Sequence, residues 1–285
     1  MFKLLNKKYL SAFLAFLSLS SAGSSLQAWG GDCCAPSDCC SGGKIYIGGF
    51  GGELWSNKVK LRQTGVAFFS EVTSIGPLSV DARGRSREHN SGFGGAQIGY
   101  AMAPICLGCS GFSITPAAEI EAFWYSKKMK GDDLASIISI LEEHDFVDKF
   151  PTNVGVYLVN GVVNLNSCFL GGLSPYIGGG VGAADLSIHK ADSLQVNPVE
   201  AGVNHFNSKR NDSAWAFAAQ AKVGLGYNIF KWVRIFAEYR FLFIDSTRFN
   251  FGSTVYPDHV PTTTWDVDVG RMWHNSFAVG LQFIL

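Results

Sequence analysis

The sequence predicts an all-β protein: an eight-stranded antiparallel transmembrane β-barrel with four long external loops and short periplasmic turns. Three observations predict it. Long stretches alternate residue by residue between an apolar face and a small or polar one, which is the pattern of strands with different environments on their two sides. The connections between these stretches alternate long and short, as in barrels with external loops and periplasmic turns. Glycine is abundant (33), aromatics reach 13% and charged residues only 16%, and no later stretch approaches the ~18 uninterrupted apolar residues of a spanning helix.

The N-terminus is expected to be removed. Lys3, Lys7 and Lys8 form a basic n-region, 9–19 an apolar h-region too short to span, and 25–28 a small-residue cleavage site, so residues 1–28 read as a secretory signal peptide. That segment holds three of 23 basic residues and no acidic one, leaving 20 basic against 23 acidic, net −3. Such a balance is no nucleic-acid footprint. Residues 29–43 form a cysteine-rich periplasmic leader with Cys33, Cys34, Cys39 and Cys40. Residues 44–285 are assigned to the outer-membrane barrel.

The predicted strands are 44–55, 92–102, 112–125, 153–165, 175–188, 214–229, 233–243 and 273–285. The last shows the pattern plainly. Trp273, Phe277, Val279, Leu281, Phe283 and Leu285 share one face; His274, Ser276, Ala278, Gly280 and Gln282 share the other. Long connections cover 56–91, 126–151, 189–213 and 245–272, and short ones 103–111, 166–174 and 230–232. The first long connection has the makings of a protruding hairpin through 66–72 and 78–82, which leaves a ten-stranded version open. The second carries a helical spacing, Leu134, Ile137, Ile138 and Leu141 after the capping pair Asp132-Asp133,.

With both termini periplasmic, Trp55, Trp124, Trp215 and Trp273 fall at the outer rim, and Tyr176, Tyr227, Trp232 and Phe283 at the inner rim. Two aromatic girdles are expected of a spanning barrel.

Two stretches carry a resemblance. Ser174-Pro-Tyr-Ile-Gly-Gly-Gly-Val-Gly-Ala resembles a strand of the OmpA-like, opacity-type outer-membrane surface proteins. So does Phe217 to Asn228 followed by Val233-Arg-Ile-Phe-Ala-Glu-Tyr-Arg-Phe241. The final Val-Gly-Leu-Gln-Phe-Ile-Leu is similar to the terminal strand of such barrels, ending on Leu285 where the family has Phe. The motifs cover the C-terminal 110 residues or so well and the N-terminal half by pattern alone. The resemblance implies a monomeric eight-stranded barrel whose loops meet the outside, and no single activity. The leader with two Cys-Cys pairs is not part of the family pattern.

Candidate chemistry is sparse. Glu53, Glu119, Glu121, Asp185, Lys222, Arg234, Glu238 and Arg240 are assigned to inward faces. An eight-stranded barrel is just wide enough to be filled by side chains, so they are expected to form a polar network plugging the lumen; a narrow porin-like channel is the alternative. The histidines His89, His144, His189, His205, His259 and His274 show no zinc-site spacing,. His274-Asn275-Ser276 resembles the His-x-Ser of outer-membrane lipid A deacylases, but no acidic residue follows 268 to orient it. A lipid-modifying enzyme is therefore a remote alternative, and no catalytic residue, metal or cofactor is assigned. Cys106 and Cys109 lack the context of a thioredoxin motif. With Cys33, Cys34, Cys39, Cys40 and Cys168 they fall in the leader or short turns, in an oxidising compartment where thiols pair,. Seven is odd, so at least one is free or joined to another molecule; crosslinking with other cysteine-rich envelope proteins is expected, and intramolecular staples plus one free thiol are the alternative. The expectation is a surface antigen or adhesin-like protein of the bacterial outer membrane. Its partners would be lipid, envelope proteins and host surface molecules. The basic run Arg83–Arg87 would reach solvent.

Overall fold

The computed structural model describes residues 42–68, 77–107, 111–136 and 144–285. The expected signal peptide, Cys33, Cys34, Cys39, Cys40 and Cys109 lie outside them. In chain order the strands are β1 (Lys44–Ser56), β2 (Lys60–Ala67), β3 (Leu78–Ser86), β4 (His89–Ala101), β5 (Ile105–Cys106), β6 (Phe112–Ser136) and β7 (His144–Ser167). They continue with β8 (Leu173–Ile188), β9 (Asp192–Asn197), β10 (Asp212–Phe230), β11 (Val233–Ile244), β12 (Thr247–Phe251), β13 (Trp265–Val269) and β14 (Met272–Ile284). All strand pairings are antiparallel within one 14-stranded sheet. Among the described residues no helix is long and apolar enough to cross a membrane.

Two tiers share this sheet. In the first, β1 pairs with β4, β4 with β6, β6 with β7, and β7 with β8. The pairing continues β8–β10, β10–β11, β11–β14 and returns from β14 to β1. Each of these eight strands thus has a partner on both sides and none presents an unpaired edge within the set. Because β1 pairs directly with β4, the hairpin β2–β3 is not inserted between them.

In the second tier, strands expected to be loops extend the sheet beyond the Trp124 end. Their order is β12-β13-β2-β3, then the C-terminal end of β6, the N-terminal end of β7, and β9. The helical spacing expected at Leu134 is not a helix. β6 runs through it to Ser136, and a β-bulge between Gly131 and Leu134 breaks strict alternation, which moves inward side chains off period two. Ile137, Ile138 and Leu141 lie outside the described residues.

β6 shows how the tiers are told apart. Its outward residues read Ile120, Ala122, Trp124, Ser126, Lys128, Lys130; its inward residues read Glu119, Glu121, Phe123, Tyr125, Lys127, Met129, Gly131. Below residue 126 the outside is apolar, with Ile120 61% and Trp124 52% exposed, while Glu119 and Glu121 are 3% and 1% exposed. Above it the outside is charged and the inside, past buried Lys127, is apolar. The second tier is accordingly an ordinary water-facing structure with a dry core: Leu61, Phe146, Phe150, Phe206, Phe249, Phe251, Trp265 and Val267 are buried together,.

Candidate functional site: the filled lumen and the outer tier

The lumen of the first tier is built from inward positions of period-two strands, and glycines make room for its largest members. A Cβ at Gly99 would lie 2.3 Å from Tyr46, and one at Gly224 would lie 2.5 Å from Tyr176. These close approaches admit no side chain. Tyr46 Oη donates to Glu119 at 2.9 Å and Tyr176 Oη to Glu238 at 2.8 Å. Lys222 Nζ sits between the two remaining sides, bonded to Glu119 and, at 3.2 Å, to Glu121. Arg240 bridges Glu121 and Glu238. Asn160 donates to Glu119 and Glu121 at 3.1 and 3.3 Å, and Gln220 to Glu121 and Asn160 at 3.3 and 2.8 Å. Arg234 closes the short-turn end on Asn164 at 3.0 Å and the Ser174 carbonyl at 3.2 Å.

Two carboxylates expected in this network are elsewhere. Asp185 alternates with buried Ala184 and Leu186, and Glu53 with buried Leu54, so both lie on the outward faces. The glycine-rich runs Gly48–Gly52 and Gly178–Gly182 hide the parity in sequence, because glycine marks neither face. The network is therefore three acids (Glu119, Glu121, Glu238) with three bases (Lys222, Arg234, Arg240), which balances. Balance matters because an unpaired charge at this depth costs several kcal/mol, on the order of a buried ion's desolvation.

Above the ion network lies a cluster of rings. Phe50, Phe93 and Phe123 meet at centroid distances of 5.6–6.3 Å. Beyond them His274, 0% exposed, bonds through Nδ1 to Ser56 Oγ at 2.7 Å and through Nε2 to Tyr125 Oη at 3.2 Å. Among the described residues no carboxylate bonds to it, and its side chain is fully buried. Lys127 Nζ, buried nearby, has no hydrogen-bond partner among the described residues.

Of the expected girdle, Trp124, Trp215, Trp273, Tyr227, Trp232 and Phe283 are exposed on the outward face. Trp55 is half-buried there. Trp124 meets Tyr157 edge to ring at 6.1 Å, and Tyr157 lies tilted against Trp215 at 6.0 Å. At the other end Phe230, Trp232 and Phe283 stack at 5.6 and 6.3 Å. Tyr176 is the exception: it points inward, where its hydroxyl reaches Glu238. Cys106 and Cys168 lie at this short-turn end, and Cys168 Sγ donates to the Gly111 carbonyl at 3.4 Å.

The outer tier contains groups the sequence did not single out. Asp148 is fully buried. With its amide nitrogen turned toward the carboxyl, Gln63 donates to it at 2.9 and 3.1 Å. Burial pushes the Asp148 carboxyl up to about 7, because the apolar surroundings disfavour its charged form. Arg62 and Arg83 both clamp Asp81, at 2.7 Å each, and hold its carboxyl well below the usual range. Part of the basic run is thus neutralised within the sheet. Finally Glu200, His205 and His259 meet from two different connections.

No protein-family model matches the chain, and no curated protein matches it. Solved structures with a similar course exist. The outer membrane protease OmpT from Escherichia coli is 8% identical, with 85% of this chain and 97% of that chain covered at a TM-score of 0.40. The outer membrane protein OprG from Pseudomonas aeruginosa is 11% identical, covering 85% and 96% at 0.36. Neisserial surface protein A is 11% identical, covering 85% and 99% at 0.35. Likeness at this level says nothing of activity.

Proposed function

We propose that this chain is an outer-membrane β-barrel protein of the OmpA-like, opacity type, in which the eight-strand ring spans the bilayer and the outer tier is displayed at the cell surface. The observation that carries this is the polarity reversal at residue 126. Ile47, Ile98, Ile120, Val159, Ile177, Val181, Val223, Val279 and Leu281 all stand exposed around the ring. A water-soluble protein rarely leaves so continuous an apolar belt bare, whereas lipid requires it. Beyond the aromatic rim the outward faces turn to Arg62, Arg83, Lys128, Lys149 and Arg248, which suit water.

The role is that of a surface antigen or adhesin-like protein, neither enzyme nor pore. Paired charges and three phenylalanines packed edge to ring occupy the lumen, and buried His274 has neither an acid bonded to it among the described residues nor access to substrate. The leader cysteines Cys33, Cys34, Cys39 and Cys40 suit disulfide linkage to cysteine-rich envelope proteins. Heat-modifiable gel migration tests the barrel, since a folded spanning barrel migrates differently before and after boiling. Planar-bilayer recording tests the plug: a silent membrane is expected, and stable single-channel steps would favour the narrow channel instead. A ladder of higher bands on non-reducing gels of envelopes, collapsing with reductant, is expected for crosslinking; a monomer band without reductant would sink that part.

A further inference from the structure

We propose that Glu200, His205 and His259 form a zinc-class metal site on the outer tier, two imidazoles and one carboxylate with a fourth position open. His205 Nε2 lies 3.4 Å and His259 Nε2 3.3 Å from the same oxygen, Glu200 Oε2. One ligand atom from each residue falls within 4.8 Å of the others. Ligands at the ~2.0–2.1 Å bond lengths of zinc sit at the corners of a tetrahedron whose edge is about 3.3–3.4 Å. The two Glu200–histidine spacings match that edge.

The hydrogen bonds behind the site turn the same nitrogen of each imidazole toward Glu200. His205 Nδ1 faces the Ser193 carbonyl at 3.2 Å, and His259 Nδ1 faces the Val260 carbonyl at 2.6 Å. A carbonyl only accepts, so each Nδ1 carries a proton, and Nε2, the nitrogen turned to Glu200, is the one left to ligate a metal. A carbonyl behind the non-ligating nitrogen is also what orients metal-bound histidines.

The ligands are held before any metal arrives. The His205 ring is wedged edge-on against Phe146 and Trp265, at 5.3 and 5.7 Å. Thr254 Oγ1 donates to the His205 carbonyl at 3.1 Å and accepts from Trp265 Nε1 at 3.2 Å. Two nitrogens with one carboxylate select a borderline ion such as Zn²⁺ over Ca²⁺ or Mg²⁺, which take oxygen ligands. The site joins the connection after β9 to the connection between β12 and β13. Asn207 already ties the same segments to Val255, at 2.6 and 2.9 Å. A bound ion would staple this seam of the outer tier and leave one coordination position for water or an incoming ligand.

The test uses the full chain folded in detergent, stripped with chelator and with its thiols alkylated so that cysteines cannot bind metal. Titration with Zn²⁺ is expected to show one ion per chain at micromolar affinity or tighter, with Mg²⁺ and Ca²⁺ failing to compete. Co²⁺ is expected to give the intense visible bands of a tetrahedral site. His259 and Glu200 are 14% and 35% exposed, so H259A and E200Q keep the fold, which heat-modifiable migration verifies. Each is expected to weaken Zn²⁺ by more than about tenfold, as loss of even an outer-shell partner costs about 10- to 100-fold. Absence of stoichiometric Zn²⁺ binding would overturn the site, as would affinity unchanged in both variants or equal binding of Ca²⁺.

Discussion

The Arg240 guanidinium carbon lies 4.0 Å from the centre of the Phe50 ring, on the boundary between the ionic and aromatic layers of the lumen. Phe93 and Phe123 flank the same cation at 5.9 and 5.7 Å. Arg240 thus has carboxylates on one side and ring faces on the other. A desolvated contact of this kind contributes about 2 kcal/mol.

This arrangement makes the charges interdependent. Glu121→Gln leaves three bases facing two acids, and stability should fall by roughly 3–5 kcal/mol, the cost of stranding a buried charge. The double variant Glu121→Leu with Arg240→Met removes one of each sign. It should lose less than the single variant in denaturant unfolding of the folded barrel in detergent. A double variant that is the weaker of the two would show that the network is not balanced as described.

The polarity reversal predicts opposite outcomes for the same substitution in the two tiers. Val159→Arg places a charge on the lipid belt and should cost about 2–4 kcal/mol if near the bilayer centre. Ser79→Arg, on the water-facing side of β3, should change stability by less than about 0.5 kcal/mol. Folding yield into lipid vesicles reads the difference.

The outer tier has its own core and should fail separately. Phe206 and Phe251 stack at 4.6 Å and both are fully buried. Phe251→Ala should cost about 3–5 kcal/mol of local stability. Limited proteolysis should then cut within 189–213 or 245–272, while heat-modifiable migration of the spanning ring persists.

Asp148 predicts a pH dependence confined to that tier. Its folded carboxyl titrates near 7, against about 3.9 when unfolded. Between these values the folded state holds a proton that the unfolded chain has released. Stability is therefore greatest below about pH 4 and declines as pH rises through 7, by a few kcal/mol at most. Hydrogen exchange of β7 and β9 amides, corrected for intrinsic rate, should show easier opening at pH 8 than at pH 5. Asp148→Asn should lose that difference.

The strands of the ring were legible because alternation between an apolar outward face and a filled inward face leaves a period of two in the residues themselves. In β14 the exposed residues Trp273, Val279, Leu281 and Phe283 are those the sequence places on one face. Where glycine occupies both faces, as around Glu53 and Asp185, alternation carries no sign and the parity was misassigned. Tyr176 reads as a girdle residue in sequence because an aromatic near a strand end looks the same whether it faces outward or a carboxylate.

Beyond residue 126 the period persists but the sign of the pattern inverts, so Lys127 to Ser136 read as a loop. Its apolar positions, displaced by a bulge, imitated a helix. Local sequence determines that alternate residues part company. Which side is wet depends on whether lipid or water surrounds that height of the sheet, and only the assembled strands decide it. The same holds for His205 and His259. Fifty-four positions separate them, too far for any spacing rule, and they meet because β9 and β12 lie on either side of one seam.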